Sequence, residues 1–149
     1  MGLDMYLNAK RYLSEYNEID APVKTAVNEA VGGVFKGKIH EIKAEVAYWR
    51  KANAIHAWFV ENVQDGEDNC GEYWVSKDKL KELLDTVKKV LDNNSLAQEL
   101  LPPKSGFFFG ETEIDEWYIQ QLEYTNDTIS ELLEIDDKEG WDFYYQSSW

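Results

Sequence analysis

Hydrophobic and polar positions change their spacing several times along the chain, and each change predicts an element. Leu3, Met5 and Leu7 alternate with Asp4, Tyr6 and Asn8, the period of a half-buried strand whose non-core face carries Asp4 and Tyr6. Pro22 to Val31 reads as a short helix with proline in its first turn and Gly32-Gly33 as its stop. The link VGGVFKGK is a mobile hairpin or a loop whose bare backbone approaches a ligand. A plain turn is the commoner of these, since no Walker or dinucleotide spacing is present. From Ile42 to Val63 the spacing predicts one amphipathic helix beginning near His40. At about 100° per residue, Val46, Trp49, Ala52, His56, Phe59, Val60 and Val63 share a face, with Asn53 on its margin and Arg50 and Lys51 on its flank.

Glu72 to Val75 reads as a short strand, and Ser76 is placed to cap the helix that follows. That helix carries an uninterrupted stripe of Leu80, Leu83, Leu84, Val87, Val90 and Leu91, ends at Asn93-Asn94, and is purely structural. Pro102-Pro103 marks an exposed connection. Gly106-Phe-Phe-Phe-Gly110 is either a strand buried on both sides or an extended entry to the next helix, which runs from about Glu113 to Glu134. Trp141, Phe143 and Tyr145 then alternate with Asp142, Tyr144 and Gln146, predicting a last strand that pairs near the first. The expected fold is a single α+β domain over residues 1–149, three main helices packed on a small, mostly antiparallel sheet.

Six Trp, nine Tyr and six Phe argue for a packed globule rather than an acidic disordered polymer. No apolar run reaches the length of a membrane span, no signal peptide opens the chain, and Tyr6 stands where a myristoylation signal wants Ser or Thr. The expectation is a cytoplasmic protein with no membrane partner. Cys70 is the one cysteine, so a disulfide within the chain and a thiolate metal site are both excluded. Its acidic neighbours Asp65, Glu67 and Asp68 disfavour a reactive thiolate.

Charge is uneven. Twelve of the 29 acidic residues follow Ser105, where Lys138 is the one base, so most of the net −14 sits in the C-terminal third. Direct binding of nucleic acid is not expected of such a surface. Between residues 36 and 51 the sign reverses: Lys36, Lys38, Lys43, Arg50 and Lys51 face only Glu41 and Glu45. That island is a specific place for an anion.

The segments GLDMYL, EVAYWRKANAIHAWFV, CGEYWVS and GFFFG resemble a group of small, largely uncharacterised bacteriophage and prophage proteins. The resemblance implies a phage accessory protein with a counter-defence role, and it assigns no activity, ligand or residue role.

The roles therefore come from chemistry. Arg50 offers a fork that fits phosphate or carboxylate, with an ion pair to the acidic third as its ordinary alternative. His56 and Asn53 can orient a ligand or can be satisfied core residues, and Trp49 can stack on a base or simply pack. The expected ligand-binding set is Trp49, Arg50, Lys51, Asn53 and His56 from the helix, Lys36 and Lys38 from the glycine-rich loop, and Asp4 and Tyr6 from the first strand. No catalytic residue, metal ligand or cofactor is expected, because nucleophile-elbow, zinc and phosphate-loop spacings are missing.

Three functions follow. The first is sequestration of a small anionic ligand, a nucleotide immune signal above all. The second is an acidic imitation of nucleic acid that blocks a host DNA-binding defence protein. The third is a small hydrolase of the same nucleotide ligand. Self-association stays open beside all three.

Overall fold

The computed structural model describes residues 2–36 and 38–149. Four strands form one antiparallel sheet in the order β2-β1-β4-β3: β1 is Asp4–Tyr12, β2 Glu41–Arg50, β3 Tyr73–Val75 and β4 Trp141–Ser148. The last strand pairs with the first along nearly its whole length, Asp4 opposite Ser148 and Arg11 opposite Trp141. The helices are α1 (Asp20–Ala30), α2 (Asn53–Val63), α3 (Lys77–Asp92), the single turn α4 (Ala97–Leu100) and α5 (Glu116–Leu133). The fold is α+β; α1 answers to the short helix expected from Pro22 to Val31, and α4 is a single turn that was not expected.

One face of the sheet is core. Met5, Leu7, Ala47, Trp49, Phe143 and Tyr145 pack there against Ile55 and Phe59 of α2, Leu83 and Val87 of α3, and Leu122 and Ile129 of α5. Phe59 lies flat on Tyr145, ring centroids 3.9 Å apart, with both rings fully buried. Burying one such side chain is worth roughly 2–3 kcal/mol. The caps of α3 and α5 are supplied locally: Ser76 accepts from the Lys79 amide at 3.1 Å and Asp115 from the Tyr118 amide at 3.0 Å.

Two expectations are corrected. Residues 42–63 are not one helix: the chain runs extended through Arg50, turns at Lys51 with a left-handed φ of 56°, and only then enters α2. The Phe-rich segment is not a buried strand. Nor is it an extended entry to α5: it is a turn closed by the Phe109 amide on the Gly106 carbonyl at 3.1 Å, in which Phe107 is exposed and Phe109 buried. The 28-residue excursion between β1 and β2 carries α1 and is tied back at its root. Leu13 donates to the His40 carbonyl at 2.7 Å, and Asp20 accepts from the Ser14 amide and from Arg11, each at 3.0 Å. The Ser14 hydrogen bond first, and Arg11 after it, hold the Asp20 carboxyl below its ordinary pKa.

No helix among the described residues is long and apolar enough to cross a membrane.

Candidate functional site: the open face of the sheet

Splitting the expected helix into a strand and a helix separates the residues it was to bring together. Along β2 the side chains alternate, so Trp49 enters the core while Tyr48 and Arg50 leave on the opposite face. Trp49 is 1% exposed and donates its indole N–H to Thr125 at 2.9 Å. Asn53 is buried with all its polar capacity used. Its amide donates to the carbonyls of Phe109 and Glu111 at 3.0 and 2.9 Å, and its carbonyl accepts the Lys104 amide at 2.9 Å. It stitches the Phe-rich turn to the start of α2.

His56 is equally committed. It has no exposed surface, and its ring lies between the Tyr145 hydroxyl at 2.7 Å and the Asp68 carboxylate at 2.9 Å, while Trp149 donates to the other Asp68 oxygen at 3.0 Å. A carboxylate only accepts, so Nε2 carries the proton toward Asp68 and Nδ1 of a neutral ring accepts from Tyr145. The hollow beside this chain, lined by residues such as His56, Asp68 and Phe109, holds about 130 Å³, far below the roughly 300 Å³ at which ligand pockets begin. Burial, with the Asp68 charge adding to it, raises the Tyr145 pKa well above 10, and burial pushes Tyr118 up to about 12. An unfolded phenol ionises near 10, so the stabilisation from these two groups is complete below pH 10 and is lost as pH rises toward 12. In an alkaline titration followed by phenolate absorbance and circular dichroism, these phenols are expected to ionise together with unfolding. All nine tyrosines titrating near pH 10 with the fold intact would contradict this burial.

The basic residues do not converge either. Lys36 and Lys38 precede β2 at its Glu41 end, and ten residues of strand place them roughly 30 Å from Arg50. Gly37 between them lies outside the described residues. Lys51 lines a 240 Å³ cleft with Glu111, Glu113, Asp115 and Trp117. Three carboxylates around one ammonium repel an anion.

What the structure does assemble is on the other face of the sheet. In register across three strands stand Arg50, Asp4 and Ser148, and in the next row Tyr48, Tyr6 and Gln146. Arg50 is 56% exposed, with its guanidinium only within 4.0 Å of Asp4, a contact too long for a hydrogen bond. Asp4 instead accepts the Tyr48 hydroxyl, and that hydrogen bond is the main reason the Tyr48 pKa is raised. The rings of Tyr6 and Tyr48 lie 5.5 Å apart, tilted by 45°. Beyond them Lys10 stands 4.4 Å over the Tyr144 ring, its ammonium pKa raised chiefly by its hydrogen bond to Glu72, and Lys43 reaches the same carboxylate at 3.7 Å. Trp74 completes the row, 58% exposed.

Of the nine expected residues, Asp4, Tyr6 and Arg50 thus meet. Trp49, Asn53 and His56 are sealed behind them, and Lys36, Lys38 and Lys51 lie elsewhere. Tyr48, Gln146, Ser148, Lys10 and Tyr144 were not among the nine, although the alternation in the last strand already set Gln146 on a face with Tyr144. Chemically the open face offers an exposed guanidinium fork beside Asp4 for an anion, phenol rings for a planar group, and an amide and a hydroxyl for polar edges. Among the described residues no group of three or more His, Cys, Asp or Glu side chains could hold a metal ion.

Comparison with known protein families, curated proteins and solved structures finds no match to this chain.

Proposed function

We propose that the protein binds a small anionic, nucleotide-like ligand on the open face of its sheet and sequesters it. The observation that carries this reading is the convergence of the exposed Arg50 fork with the Tyr6–Tyr48 ring pair and Asp4 at one end of that face. Arg50 would meet the phosphate, the phenol rings the base, and Asp4, Gln146 or Ser148 the polar edges of sugar or base. The resemblance to phage proteins supports a counter-defence setting, in which the ligand is an immune signal and its removal from solution is the effect.

Calorimetry against cyclic nucleotides and ADP-ribose derivatives tests it. The expected result is binding by the wild type, weakened about 10- to 100-fold by Arg50→Ala, the loss of one charge-assisted contact of roughly 1.5–3 kcal/mol. Lys51→Ala is expected to leave the affinity unchanged. No heat with any of these ligands at micromolar protein overturns the reading.

A second reading rests on a separate observation. Along α5 the exposed Glu116, Glu123, Asp127 and Glu131 form a stripe whose last three members step by about 6 Å of helix rise, and none has an ion-pair partner among the described residues. Such a stripe supports docking to the basic, DNA-binding surface of a host protein. Competition with DNA that vanishes when these four are neutralised favours it, and competition that survives neutralisation removes it.

A further inference from the structure

The end strand β2 presents an outer rim that no strand covers among the described residues. One of its amides is occupied: Tyr48 N–H donates to the Tyr124 hydroxyl of α5 at 3.2 Å. That single bond sets the phase of the whole rim. Tyr48 turns its backbone outward, so Ala47 and Trp49 turn theirs toward β1. The register slips between Leu7 and Asn8, with Val46 as the extra residue on β2, and this moves the alternation by one. Glu45, Lys43 and Glu41 are then the residues whose backbone N–H and C=O face out.

We propose that this rim pairs antiparallel with the same rim of a second copy of the chain, centred on Ala44. Two copies related by a twofold axis must set outward residues against outward residues, which leaves five registers, centred on residues 41 to 45. Centring on Glu41 puts that carboxylate against its own copy, and centring on Ile42 pairs Lys43 with Glu41 but sets Ala44 against His40 and Glu45 against Ile39. Centring on Lys43 puts Lys43 against itself and Glu41 against Glu45. Centring on Glu45 puts that carboxylate against its own copy. Only the register centred on Ala44 places Lys43 opposite Glu45, twice by symmetry, with Ala44 against Ala44 and Ile42 against Val46 on the other face. Ile42, Ala44 and Val46 are each only half-buried, unlike the sealed Ala47 and Trp49 further along the strand, so the apolar side of the rim has area left to bury. Past Val46 the bulge moves the count by one, so Glu41 of the second copy, which also faces out, comes opposite Tyr48. The bulge keeps the paired run short, so the interface falls in the small, transient class.

Sedimentation velocity on the full chain, from about 10 µM to about 1 mM, reads the outcome. The expected result is a wild-type monomer–dimer equilibrium, with a dissociation constant on the order of 100 µM for so small an interface. Lys43→Glu and Glu45→Lys are each expected to be monomeric throughout. An equimolar mixture of the two regains the dimer, because each then meets the opposite charge, and so does the double variant K43E/E45K. This rescue separates pairing from damage, since Lys43→Glu also removes the contact with Glu72. A wild type that stays monomeric, single variants that dimerise like the wild type, or a mixture that fails to regain the dimer each overturns the proposal. None of these outcomes depends on the ligand face, whose test is a heat of binding.

Discussion

Asn53→Asp is expected to lower the unfolding free energy by about 3 kcal/mol. The carboxylate keeps the bond from Lys104 N–H but has no hydrogen for the carbonyls of Phe109 and Glu111, which lie 3.0 and 2.9 Å from the present amide nitrogen. The buried Phe109 carbonyl is left unpaired at about 1–3 kcal/mol, the part-buried Glu111 carbonyl at less, and both dipoles point their negative ends at a buried charge. One effect opposes this. Asn53 is the first residue of α2, where an acid gains about 0.3–1 kcal/mol from the helix dipole. The loss is several times larger and decides the sign. Chemical denaturation gives the free energy directly, and a melting temperature lower by roughly 10 °C should accompany it for a domain of this size. A loss under about 1 kcal/mol would mean that Asn53 is not the clasp of the Phe-rich turn.

His56→Phe is the second. Phenylalanine fills the space of the imidazole, so what is removed is mainly the pair of hydrogen bonds that join Tyr145 on β4 to Asp68 on the loop ahead of β3. Among the described residues the fully buried Tyr145 hydroxyl has no other partner, and Asp68 keeps only Trp149. The expected cost is about 2–4 kcal/mol: roughly 1–3 for the stranded buried hydroxyl, and a smaller share for the bond to Asp68, which is 27% exposed. Tyr145→Phe removes the hydroxyl that would be stranded, so the double variant should lose less than the sum of the two, by about 1–2 kcal/mol. Strict additivity would show that the ring and the hydroxyl do not act together. A His56→Phe protein that keeps its stability and loses ligand binding would move His56 from scaffold to site.

These two residues also show where sequence reading succeeds and where it stops. The polar interruption of an apolar stripe by Asn53 and His56 was visible in the sequence, and the structure makes both polar groups structural. Spacing along one chain cannot reveal partners 56 or 89 positions away, and those partners are what settle the matter. The mistaken helix has a local cause. On a regular strand, inward residues are two apart, as Ile42 and Ala44 are. The bulge at Val46 makes the next inward pair Ala44 and Ala47, three apart, and Trp49 then falls three before Ala52 and seven before His56, the spacing of a helix face. A bulge next to a true helix therefore imitates one longer helix.

Elsewhere pattern and structure agree because the signals were local. Ser76 caps α3, Leu80 to Val90 form its buried stripe, and the alternation of Trp141, Phe143 and Tyr145 gives a strand beside the first. Asp4 and Tyr6 were placed together on the non-core face by period alone. That Arg50 joins them depended on β2 pairing with β1, and nothing in the residues near Arg50 announces that pairing.

We propose ligand recognition on the open face, with the His56–Asn53 side as scaffold. It is tested most directly by following backbone amide NMR signals while a cyclic dinucleotide or ADP-ribose derivative that gives heat in calorimetry is added. The expected shifts fall on Asp4, Tyr6, Tyr48, Arg50, Gln146 and Ser148, with Asn53, Glu111 and Trp117 unmoved. Shifts centred on the Lys51–Glu111–Trp117 cleft, with the open face silent, would contradict it.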